Sequence, residues 1–205
     1  MKISLTNKCF SVYRTTGSGP VPPTPTGETY TEVALIMGES GGTVYSMSFP
    51  CTLGPDFKCE FEGSIEKDIT ATAVGKNGGA FRTLMTNNKF YLDILSTSNR
   101  ITISKASSKG LGLHDYMHLE LTNRQVKNNG NVIKSGTTVS FERIETEVLI
   151  RIVDMKAHSL KIYDGSNVIF DGVAALRDSD GQGGLWDSTR KIFMTNEDIE
   201  INETD

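Results

Sequence analysis

From Tyr30 onward the chain is a succession of short runs rich in Val, Ile, Phe, Tyr and Thr, each cut off by a cluster of Gly, Asn, Asp and Ser. β-Branched and aromatic side chains suit a pleated, half-buried surface, and Gly and Asn supply the positive φ that tight hairpins need. No stretch keeps a helical period. The pattern therefore restricts the fold to an antiparallel all-β sandwich or barrel. Hairpin turns are expected at Asn77-Gly78, Asn129-Gly130 and Asp164-Gly165. Strands are expected over Thr31–Met37, Thr43–Phe49, Phe57–Ile65, Ile69–Val74, Phe81–Met85, Phe90–Leu95 and Arg100–Ser104. The series continues with Met117–Leu121, Val132–Lys134, Thr138–Arg143, Glu147–Val153, Ser159–Tyr163, Val168–Val173 and Lys191–Thr195.

Within this series Phe57 to Glu62 alternates apolar and polar residues, as a strand with one wet face should. Val148 to Val153 is nearly continuous and is expected to lie centrally, covered on both sides. The chain's 205 residues suffice for one all-β domain with a proper core. A net charge of −4 argues against nucleic acid or an anionic membrane as a partner. The first residues lack an apolar run of signal-peptide length, so no secretory routing is expected from them. Cys9, Cys51 and Cys59 have no metal-ligand spacing and read as free thiols, the alternative being Cys51 and Cys59 facing each other across a hairpin.

Four of the six prolines fall between Gly17 and Gly27, a composition that favours extended conformations and cannot build a core. This divides the chain into an arm at 1–14, a linker at 15–29 and a sandwich at 30–205. Ile3, Leu5, Phe10, Val12 and Tyr13 give the arm enough apolar character for one or two short strands, which cannot fold alone. Such an arm either docks on its own domain or completes a partner's sheet by strand addition.

The run Leu160 to Asn196, LKIYDGSNVIFDGVAALRDSDGQGGLWDSTRKIFMTN, reads as two strands, a Gly-Leu-Trp-Asp turn and a third strand. It resembles the closing segment of concanavalin-A-like (laminin-G-like) domains of bacteriophage virion proteins. Glu39 to Tyr45, Phe57 to Ile65 and His114 to Leu121 are similar to earlier elements of the same family. Trp186 stands where the family more often has Tyr, and Ala174-Ala175 replace its usual Val-Pro. The resemblance implies a jelly-roll sandwich with an extended N-terminal arm, in a non-enzymatic head-fibre or capsid-decoration protein. It further implies a homo-oligomer in the virion, assembled in the host cytoplasm, with other virion proteins as partners through the arm. A tail or baseplate adhesin for a host-surface glycan is the alternative, and a glycoside hydrolase a third.

The candidate chemistry is sparse. Trp186, Tyr163 and Tyr116 offer aromatic faces of the kind that stack on a pyranose, although such residues also fill sandwich cores. Asp178, Asp180 and Asp187 imitate part of a calcium loop, but no Glu stands at its twelfth position, and a Gly-rich hairpin explains the same residues. No cofactor is implied beyond that Ca²⁺ alternative. The pairs Glu145/Glu147 and Asp198/Glu200 could face one way on a strand, as solvated edge residues do. His118 reads as a structural histidine bonded to a nearby carbonyl.

Overall fold

The computed structural model describes residues 27–39, 42, 44–68, 81–86, 89–94, 96–135 and 142–195. The arm residues Ile3, Leu5, Phe10, Val12 and Tyr13, the linker up to residue 26, Cys9, the Asn77-Gly78 turn, the 69–74 strand, residues 138–141 and the Asp198/Glu200 pair lie outside them. Among the described residues the chain forms β1 (Tyr30–Glu32), β2 (Ile36–Gly38), β3 (Tyr45–Leu53), β4 (Phe57–Ile65), β5 (Phe81–Thr86), β6 (Lys89–Ile94) and β7 (Ser96–Ser104). It continues with β8 (Met117–Thr122), β9 (Gln125–Asn128), β10 (Asn131–Ser135), β11 (Ile144–Ile152), β12 (Met155–Asp164), β13 (Asn167–Arg177), β14 (Gly183–Asp187) and β15 (Ile192–Met194). A single 3₁₀ turn, Ala106–Lys109, is the one helical element among the described residues.

The expected antiparallel all-β architecture is present. One ten-stranded sheet runs β10-β9-β8-β4-β12-β13-β14-β15, with β1 and β2 inserted beside β13 and β12. A β11-β3 pair and a β5-β6-β7 meander form two smaller sheets. The main core is contiguous across all three. Phe57, Cys59 and Phe61 of β4, Leu119 and Leu121 of β8, and Leu160 and Ile162 of β12 face Tyr45, Met47 and Phe49 of β3, Val148, Ile150 and Ile152 of β11, and Phe90 and Ile101 of β6 and β7. Phe49 stacks across the layers on Phe170, centroids 6.0 Å apart. Each such large apolar side chain contributes about 1.5–3 kcal/mol on burial.

Several strands differ from expectation for identifiable reasons. Thr31–Met37 is two strands, because its halves pair with different partners. β12 pairs β13 from Ser159 to Asp164, and below that its same edge pairs β2 at Met155 to Ala157. β13 likewise turns from β12 to β1 at Ala175 to Arg177. The β12–β13 hairpin is thus a fork, and residues 30–38 fill its opening. At the crotch Val33 N donates to Ala174 O at 2.9 Å, and His158 Nδ1 lies 2.7 Å from Ala34 O. Only a protonated Nδ1 satisfies that carbonyl.

Strand β3 extends through Pro50 and Cys51, a proline position that is tolerated on a strand that, among the described residues, pairs on one side only. The Gly-Leu-Trp-Asp segment is strand β14 rather than a turn, and β9 is a strand that Asn128 and Asn129 obscured in the sequence. Strand β11 does not lie centrally covered on both faces: Val148, Ile150 and Ile152 are buried, while Arg151 is exposed. Asn129-Gly130 makes its turn with both φ values positive, whereas the other hairpin turns one residue late, on Gly165-Ser166 with Gly165 at φ 60. Cys51 and Cys59 are both free and sit on β3 and β4, which pair with different strands.

Candidate functional site

The face of the large sheet turned away from the main core is the broadest candidate surface, and strand alternation dictates its composition. With Phe57, Cys59 and Phe61 inward, Lys58, Glu60 and Glu62 must point outward. The register aligns Glu60 with Glu120 of β8 on one side and Lys161 of β12 on the other. Glu120 faces Lys127 of β9, and Lys161 faces Asp171 of β13, so one row of five charged residues crosses five strands.

The charges of this row are matched on the face itself, Glu60 by Lys58 of the neighbouring outward position on β4. Lys127 meets Glu120 at 2.7 Å, Lys58 meets Glu60 at 2.6 Å, and Lys161 meets Asp171 at 2.9 Å. Tyr163 Oη donates to Glu60 at 2.9 Å, and the Lys58 ammonium sits 3.9 Å above the Tyr163 ring. Burial alone would raise the Glu60 pKa, but hydrogen bonds from Lys58 and Tyr163 and the charges of Lys58 and His118 outweigh it and hold the carboxyl below its usual range. Glu60 thus serves as the hydrogen-bond acceptor for both Lys58 and Tyr163. Burial and the bond to Glu60 push Tyr163 up to about 12.

A second row holds His118, Glu62 and Ser159. Ser159 Oγ donates to Glu62 at 3.4 Å. Tyr116, at the end of the loop before β8, is 51% exposed. Burial, the Glu62 charge and a hydrogen bond to Glu62 raise its hydroxyl to about 12. Tyr116 and Tyr163 are thus both on or beside this face, each held by a carboxylate. The loop is fixed by His114 Nδ1 on Glu66 at 3.0 Å and by Asp115 accepting Gly112 N–H at 2.7 Å. His118 itself is exposed, and His158 is the histidine whose ring meets a carbonyl.

Trp186 projects from the same face but offers no ring to a sugar. It is 1% exposed and stacks against Tyr30 at 4.5 Å, because β1 adds beside β13 and lays Tyr30 over it. Phe193 and Ala175 complete this small second core, distinct from the main one. The three aspartates of the calcium-like motif are each engaged by the protein and are not brought together. Asp178 accepts from Thr31 Oγ1 at 2.7 Å, and Asp180 takes Arg177 Nε and Nη2 at 3.1 and 2.6 Å. Asp187 is buried at the far end of β14, where it accepts Asp171 N–H and Thr189 N–H at 3.1 and 2.9 Å. The loop is the hairpin that joins β13 to β14. Among the described residues no group of three or more His, Cys, Asp or Glu is placed to hold a metal ion. Glu145 is exposed on β11, facing Thr52.

Glu60, Glu62 and Glu120 are not legible as a set in the sequence, since strands β4 and β8 are far apart in the chain and only their register unites them. Nor is a cleft of about 450 Å³ at the end of the sheet, lined by residues of three turns. Comparison of the chain with protein-family models, with curated proteins and with solved structures finds no match.

Proposed function

We propose that the chain is a non-enzymatic structural protein of a bacteriophage virion, a head-fibre or capsid-decoration component. In this reading residues 1–14 anchor it to other virion proteins, the linker spaces it, and the sandwich is displayed as a homo-oligomer. The observation that carries the proposal is the run Leu160 to Asn196, whose resemblance to phage virion domains falls on the consecutive strands β12 to β15 of the large sheet. The outer face is compatible with display, because its charges are paired among themselves and Glu60 is held ionised. Particles purified from cells that produce the phage should carry the chain at fixed copy number. Deleting Met1 to Arg14 should leave the lobe folded but absent from particles. Full incorporation of the truncated chain, or a chain found only in the soluble fraction, would end the proposal.

A tail or baseplate adhesin for a host glycan is the second reading, favoured by the exposed Tyr116 beside Glu62 and Tyr163. Binding of the full chain to a glycan array, lost in Tyr116→Ala, would support it. Equal binding by that variant would count against this surface.

A further inference from the structure

We infer that the cleft at the end of the large sheet binds a sugar acid, a small ligand with one carboxylate and several hydroxyls. Three turns meet there, at Pro55-Asp56 after β3, Asn123-Arg124 after β8 and Gly165 after β12, and they outline a solvent-open cleft of about 450 Å³, large enough for a small molecule. The rim is fastened before any ligand arrives. Gly165 N donates to Asp56 O at 3.3 Å and Gly54 N to Asp164 Oδ1 at 3.1 Å. Thr122 Oγ1 accepts the N–H groups of Arg124 and Gln125 at 3.2 and 3.1 Å. A preformed rim lowers the ordering cost of binding.

Two charged side chains of the lining are uncommitted. Arg124 and Asp56 are exposed, and neither makes a side-chain hydrogen bond or ion pair with the described residues, including each other. A guanidinium without a partner matches a carboxylate through two parallel N–H donors. Lys58, although held by Glu60, adds positive potential on the same side. Asp56 opposes a doubly charged phosphate but accepts hydroxyl protons, and the amide of Gln125 can both donate to and accept from hydroxyls. A neutral sugar is the poorer fit, because Phe57, the aromatic residue of the lining, is 1% exposed and gives a pyranose nothing to stack on.

The test titrates the full chain with glucuronate, glucose, glycine and acetate, read by amide chemical shifts and calorimetry. Glucuronate should bind in the millimolar range with shifts confined to the three turns. Arg124→Gln should weaken it about tenfold or more, with the remaining spectrum unchanged. Glucose or acetate binding as well as glucuronate, glycine binding better, or no saturable shift at all would overturn the inference. Particle incorporation does not enter this measurement, so the virion proposal can stand or fall separately.

Discussion

Tyr30 lies against Trp186 with ring centroids 4.5 Å apart and planes 18° from parallel, on the side of the large sheet opposite the main core. Phe193 closes on Tyr30 at 4.8 Å. Backbone and side-chain bonds fix the same place, since Asp178 N donates to Thr29 O at 2.9 Å and Thr31 Oγ1 donates to Asp178. The start of β1 is thus held in a small aromatic clasp.

Tyr30→Ala removes the stack and leaves a cavity over Trp186. Truncating a buried aromatic costs about 3–5 kcal/mol, and the expected loss is at the lower end because the cluster is small. Tyr30→Phe keeps the ring contact and should cost clearly less than Tyr30→Ala. Urea denaturation followed by emission of Trp186, the chain's one tryptophan, reads both. A Tyr30→Ala variant as stable as the parent would show that the clasp contributes nothing.

Glu66 governs part of the acid stability. Ser64 Oγ at 2.5 Å, His114 Nδ1 at 3.0 Å and Lys156 Nζ at 3.2 Å surround its carboxylate. Burial acts to raise its pKa, but these partners prevail and hold it below the ordinary 4.5. The unfolded chain therefore takes up this proton first. The contribution of Glu66 is complete above about pH 5 and disappears as pH falls through the folded value. Glu66→Gln should be less stable than the parent near neutrality, and the gap should close as pH falls through the folded value. A gap independent of pH would remove Glu66 ionisation from the account.

The two described cysteines should differ in reactivity. Burial pushes the Cys59 thiol up to about 12, with the Glu60 charge adding to it. Cys51 is half-buried and its thiol is raised chiefly by burial, with Arg190 acting in the opposite sense. Alkylation of the native protein near pH 8, followed by peptide mass spectrometry, should label Cys51 slowly and leave Cys59 unmodified until denaturant is added. Labelling of Cys59 at the rate of Cys51 would contradict the burial assigned to β4.

Gly38 seats the end of β2. A Cβ there would run into the carbonyl oxygen of Ile152 at the end of β11, which is backbone and cannot rotate away. Gly38→Ala should cost about 1–3 kcal/mol and increase hydrogen exchange over residues 30–38 first. Unchanged exchange in that segment would mean that β2 tolerates a wider approach than its position implies.

The strands that the sequence revealed best are those whose alternation answers to one partner layer. Phe57 to Glu62 is the clearest, because a single inward face forces the period. The fork was hidden, since Thr31 to Met37 reads as one extended run and nothing local reports that its halves pair with separate strands. Trp186 misled for a related reason. It does point outward from its sheet, and it is buried there by Tyr30, which arrives from a distant part of the sequence, together with Phe193. The outer charged row was invisible because it is assembled by cross-strand register, whereas the free thiols and the absence of helical period needed only composition and spacing.

The insertion of residues 30–38 between β12 and β13 has a temporal consequence for biosynthesis. Thr31 and Asp178 are 147 positions apart, so the earliest-made part of the lobe waits on a docking groove that the ribosome delivers only much later. Closure of that long loop is entropically slow. Whatever precedes Tyr30 acquires its fixed point of departure only once that groove has been made.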